Sequence, residues 1–113
     1  MTKDLIMYSR TAGCPFVTIA KRVLDEHQIQ YTEIFIDQDM DAQARVIAWT
    51  GFQSVPTLIV ANAGAIEPYM ACTPLPDGES PRGIDRGPMI TEPNMFQLKE
   101  WLIKHQFIVP EAR

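Results

Sequence analysis

Cys14 stands between Gly13 and Pro15 in the stretch TAGCPFVTIAKRVL, where an apolar helical repeat begins. A helix start gathers free N–H groups and the positive end of the helix dipole. Such a field suits an anionic sulfur, and the thiolate is the form that attacks a disulfide. Gly13 leaves the approach to the sulfur open. Pro15 fits the first helical position because its missing N–H has no intrahelical partner to lose. Three residues after Cys14, where a C-x-x-C motif would place its second sulfur, stands Val17. A dithiol cycle within the motif is therefore ruled out. Arg10, four residues upstream, adds positive charge if the intervening turn folds it back. A plainer role is also open, since a lone cysteine beside a helix often serves as a small packed hydrophobe.

A second feature is QSVPTLIV, residues 53–60. A proline at the mouth of a central strand is costly without a structural purpose. A cis Val55–Pro56 bond would turn the chain sharply and present the Val55 backbone sideways; a trans proline simply opening the strand is the commoner arrangement. The other cysteine, Cys72, is either a resolving thiol brought over Cys14 or a packed or exposed thiol. Two cysteines and two histidines, His27 and His105, offer no tight ligand spacing for a closed metal site.

These residues need a scaffold, and the pattern supplies one. LIMYS (5–9) reads as a buried strand. Phe16, Ile19, Ala20, Val23 and Leu24 recur at helical spacing after Pro15. QYTEIFID (30–37) reads as a second strand, and QDMDAQARVIAWTG (38–51) as a helix with an acidic start and a terminal glycine. TLIVAN (57–62) is a third strand, short and apolar, as in a sheet covered on both faces. Residues 63–93 hold six of the nine prolines and four of the six glycines, which breaks regular structure. Short pieces there, AIE or MIT, are candidates for an edge strand. NMFQLKEWLIKHQF (94–107) closes with a helix, Asn94 and Gln97 spaced as a capping box and Met95, Leu98, Trp101 and Leu102 as its stripe. The order β-α-β-α-β-(irregular insertion)-α predicts one α/β domain over residues 1–113, a small mixed sheet flanked by helices.

Composition narrows the function classes. The chain has 113 residues and a net charge of −4, with no basic run or basic helix face. Nucleic acid and acidic membranes are thus not expected partners. No apolar stretch is long enough to cross a bilayer. MTKDLIMYS lacks the apolar stretch and cleavage site of a leader, so a cytoplasmic, reducing location is expected.

Strand, GCPF, helix, strand, helix ending in TG, then SVP and TLIV closely resemble a glutaredoxin of the thioredoxin fold over roughly residues 4–62. CPF matches the first three residues of the family's C-P-Y-C site, with Phe16 for tyrosine, and SVP matches its T-V-P, with Ser54 for threonine. The resemblance implies Cys14 as nucleophile, Pro56 as a cis proline beside it, and Val55 pairing its backbone with glutathione. Pro15 and Phe16 would flank the thiol. Gln43, eight residues before Gly51, falls where the family holds glutathione's glycine carboxylate, and Arg10 resembles its upstream basic residue at a spacing one residue longer. On sequence alone Gln43 is an exposed helix residue.

The implied activity is monothiol exchange with glutathione as second thiol and glutathionylated or disulfide-bearing proteins as partners. The family's Gly-Gly and the polar residue after it are not recognisable. In their place lies an insertion containing Arg82, Asp85 and Arg86, which offers an anion or ammonium contact or a solvated loop. The alternatives are a glutathione-assisted [2Fe–2S] carrier, against which Pro15 weighs, and a redox-silent adaptor.

Overall fold

The computed structural model describes residues 3–76 and 78–109. Asp77 of the Pro/Gly-rich segment, and Met1 and Thr2 of the stretch read for a leader, lie outside the described residues. The elements are β1 (Lys3–Ser9), α1 (Pro15–Glu26), β2 (Thr32–Phe35), α2 (Met40–Thr50), β3 (Thr57–Asn62), β4 (Met89–Thr91) and α3 (Met95–Lys104). The sheet order is β2-β1-β3-β4, with β1 parallel to β2 and antiparallel to β3, and β3 antiparallel to β4. This is the expected mixed α/β, thioredoxin-like arrangement, with MIT supplying the edge strand β4. AIE forms no strand.

Burial follows from the topology. β1 and β3 are the inner strands, and their residues Leu5–Ser9 and Thr57–Ala61 are all buried, so both sheet faces are covered. The edge strand β2 is only partly covered, and it is shorter than the eight residues the sequence suggests. On one face Tyr8 meets the edge of Trp49 from α2, with ring centroids 5.3 Å apart. α1 and α3 pack against each other. Two apolar stripes are shifted from the sequence reading. α1 buries Val17, Ala20, Val23 and Leu24, while Phe16 and Ile19 stay half-buried. α3 buries Leu98, Trp101 and Leu102 and leaves Met95 exposed. The shifted residues, Phe16 and Ile19 in α1 and Met95 in α3, lie within the first five positions of their helices, toward the end that the sheet covers less.

Local chemistry sets the helix ends. Pro15 opens α1, as its sequence position predicts. Asp39 caps α2 by accepting from the N–H groups of Asp41 and Ala42, and Gly51 ends that helix at φ 82, a left-handed turn that glycine makes without steric cost. Asn94 and Gln97 form the expected reciprocal box at the start of α3.

The segment between β3 and β4 is tied down despite its irregular course. The Tyr69 N–H donates to Val60 and the Thr73 N–H to Arg86. Arg86 is buried, its guanidinium donating to the carbonyls of Thr73 at 2.8 Å and Trp49 at 2.6 Å. One cation thus joins the segment to the C-terminal carbonyl end of α2, where the helix dipole favours positive charge.

Candidate functional site

Cys14 is the N-cap residue of α1. It is half-buried, its side chain makes no capping hydrogen bond to the first turn, and no acidic residue stands in that turn. Across a short gap runs the approach to β3. The Val55–Pro56 peptide bond is cis, which resolves the two arrangements the sequence leaves open. The thiol of Cys14 donates to the carbonyl oxygen of Val55 at 3.7 Å. Cys14, Pro15, Val55 and Pro56, distant in sequence, are thus brought to one place by the pairing of β1 with β3.

Val17 lies beneath this surface, 6% exposed and packed in the core. The position at which a second motif sulfur would stand is therefore covered by protein, while Cys14 is partly open.

The turn that presents Cys14 is fixed from the side of β2. Asp37 accepts from both the N–H and the hydroxyl of Thr11. Those bonds, the hydroxyl's first, hold the Asp37 carboxyl below the usual carboxylate range. Arg10 Nη2 donates to the Gln53 carbonyl at 3.0 Å, two residues before Val55. Gln43 is half-buried on α2 and directs its amide to the Ile36 carbonyl, 3.5 Å away, on the same flank as the Thr11–Asp37 contact.

A second set of contacts joins Phe16 and Arg82, both singled out in the sequence, to Glu92, which is not. Phe16 is half-buried, and the guanidinium of Arg82 sits over its ring, 5.2 Å from the centroid. Arg82 also pairs with Glu92, its Nη2 3.0 Å from Oε2. The Glu92 N–H donates to the Pro56 carbonyl at 2.8 Å, and the Thr57 and Thr91 hydroxyls meet at 3.1 Å between β3 and β4. Glu92 has φ 46, a left-handed conformation that non-glycine residues seldom adopt. The sequence offers Arg82 as one of three loop residues for an anion or ammonium contact, while Glu92, a glutamate after a short apolar run, carries no signal that specifies a partner.

Cys72 belongs to the chain between β3 and β4. It is half-buried in the segment that Arg86 secures, and burial pushes its thiol above the ordinary range, with the nearby Arg86 charge opposing. Cys14 and Cys72 are both free thiols. Among the described residues, no three His, Cys, Asp or Glu side chains gather as a metal-binding group. Of the three insertion residues considered for a ligand contact, Arg82 reaches the site. Arg86 is committed to backbone carbonyls, and Asp85 pairs with Lys104 at 2.9 Å.

No curated protein matches the chain. Among solved structures, a buckwheat glutaredoxin in complex with glutathione is similar at 30% identity, with a TM-score of 0.42. The similarity covers 50% of this chain and 53% of that one, about half of each. The family profile described as Glutaredoxin matches residues 5–63, from the first buried residue of β1 to just past β3. With that match spanning more than half of its length and the Cys14–Val55–Pro56 arrangement inside it, the chain belongs to the glutaredoxin family.

Proposed function

We propose that the protein is a monothiol disulfide oxidoreductase that removes glutathione from protein mixed disulfides. The observation that carries this reading is the Cys14 thiol at the open start of α1, facing the Val55 carbonyl beside Pro56. Cys14 is the nucleophile. Its thiolate attacks the glutathione sulfur of a mixed disulfide, the protein sulfur leaves and takes a proton, and a Cys14–glutathione disulfide forms. A second glutathione thiolate attacks the glutathione sulfur of that adduct, which releases Cys14 as thiolate and glutathione disulfide as product. Glutathione, as co-substrate, replaces the resolving cysteine that Val17 removes.

Pro15 and Phe16 border the nucleophile, and the Val55 backbone at Pro56 offers the main-chain pairing for glutathione. Arg10 and Gln43 lie on the flank proposed for its glycine carboxylate. Expected partners are glutathionylated or disulfide-bearing proteins of a reducing, cytoplasmic compartment.

The test is release of a free thiol from a glutathionylated peptide, with glutathione as reductant. Wild-type protein turns over, and Cys14→Ser reduces release to the uncatalysed rate. Intact mass after exposure to oxidised glutathione then shows one adduct, on Cys14. No turnover by the wild type at any glutathione concentration defeats the proposal, and a Cys14–Cys72 bridge in place of the adduct assigns the resolving step to Cys72.

A further inference from the structure

We infer that Arg82, carried by the segment between β3 and β4, is a specificity residue that reads a carboxylate on the small-thiol half of the mixed disulfide. The inference rests on the exchange reaction proposed above.

Three observations support it. First, Arg82 is held at the site by backbone as well as side chain. Residue 82 bridges to Thr91 of β4, the neighbouring Gly83 N–H donates to the Thr91 carbonyl at 2.7 Å, and Pro81 is buried. Its position is therefore set by the sheet that carries Pro56, through Glu92 and the Thr57–Thr91 pair. Second, its guanidinium lies over the ring of Phe16, two residues from Cys14. A planar cation stacked on an aromatic face is fixed in direction, as a lysine ammonium would not be.

Third, the fork is only half used. Nε and Nη2 both go to one oxygen of Glu92, at 3.1 and 3.0 Å, and the Nη1 side takes no partner among the described residues. The Arg82 side chain is 62% exposed while that of Glu92 is 16% exposed, so the cation presents outward and its counter-ion stays behind it. A guanidinium edge offered this way matches a carboxylate. A second arginine, Arg10, donates to the Gln53 carbonyl two residues before Val55, in a chain whose net charge is −4. Small thiols that bear carboxylates are the class such a site favours over neutral or cationic ones.

The experiment measures single-turnover release of peptide thiol by excess reduced protein, with no free glutathione present. One peptide is capped with glutathione and the same peptide with cysteamine, which has no carboxylate. Arg82→Gln is expected to lower the rate constant for the glutathione-capped peptide about fivefold, the scale of one exposed ion pair. It leaves release from the cysteamine-capped peptide, whose small half carries an ammonium, unchanged or somewhat faster, and Arg82→Lys recovers part of the loss. In the wild type, added salt slows the first reaction more than the second.

Equal effects of Arg82→Gln on the two peptides, or none on the glutathione-capped one, overturn the inference while leaving the exchange reaction standing. Release from neither peptide by the wild type defeats the exchange reading and this inference with it. The wild-type salt comparison decides the matter should Arg82→Gln fail to fold.

Discussion

The sulfur of Cys14 faces the main chain of Val55, its thiol directed at the carbonyl oxygen 3.7 Å away. This pairing joins the start of α1 to the approach of β3, and Cys14 stays partly exposed while Val17 is buried. Residues three apart in a helix lie on one face. Val17→Cys would therefore restore a two-sulfur motif with its second sulfur in the protein interior. Mild oxidation without glutathione should convert that variant to an intramolecular disulfide, seen as a loss of both titratable motif thiols. A variant that kept both thiols titratable would show that the first turn of α1 does not bring the two positions together.

Cys72 should behave as the opposite kind of thiol. Burial raises its ionisation above the ordinary range, so at neutral pH it holds less thiolate than an open cysteine. Alkylation of Cys72 by iodoacetamide is expected to be slow near neutrality and to rise as pH passes beyond the usual thiol range. In the Cys14→Ser protein, mass spectrometry of the labelled peptide gives this profile directly. The same shift implies that stability is lost as pH rises through the raised value, because the unfolded chain releases that proton first.

Arg86 is predicted to matter for the fold rather than for exchange. It donates to the Thr73 and Trp49 carbonyls from a buried position. Arg86→Met removes the charge-assisted bonds and leaves two carbonyls without their partner, at a cost of about 2 kcal/mol. Urea denaturation should show that loss, and limited proteolysis should cut faster within residues 68–88. Unchanged stability and unchanged cleavage would mean that the segment is held by other contacts.

His105 gives the pH dependence at the acid side. Desolvation by burial, with the Lys104 charge added, lowers its ionisation, although the Gly87 carbonyl and Asp85 act in the other direction. The unfolded chain therefore binds this proton first as pH falls. Stability contributed by the neutral ring is present above the ordinary histidine range and declines below it. The urea midpoint should fall between about pH 7.5 and about pH 5.5, and His105→Asn should flatten that fall. An equally steep fall in the variant would assign the dependence to other groups.

The parts legible in the sequence are those fixed by neighbours along the chain. Pro15, Gly51 and the Asn94–Gln97 pair mark helix ends because capping is a local transaction between a side chain and the next turn. The run Thr57–Asn62 is apolar throughout because β3 lies inside a covered sheet. Less legible were choices made by packing. Phe16 and Met95 fit a helical repeat as well as their buried neighbours do, and only the position of the sheet decides which residues it covers.

The candidate site divides in the same way. Cys14 and Val55–Pro56 are recognisable because residue type and spacing carry the chemistry. The Arg82–Glu92 pair and the link from Arg10 to Gln53 exist only once distant backbone segments meet.

Both tryptophans touch the segment that follows β3. Arg86 holds the carbonyl of Trp49, and the indole N–H of Trp101 donates to the Gly87 carbonyl at 2.8 Å, an oxygen that the His105 ring N–H also reaches. An indole hydrogen bond and its polar surroundings set the colour of its emission. The protein's intrinsic fluorescence is therefore an optical gauge of whether this segment is seated, and occupancy of the neighbouring thiol site can be followed without a label wherever it moves Arg82 and the chain around it.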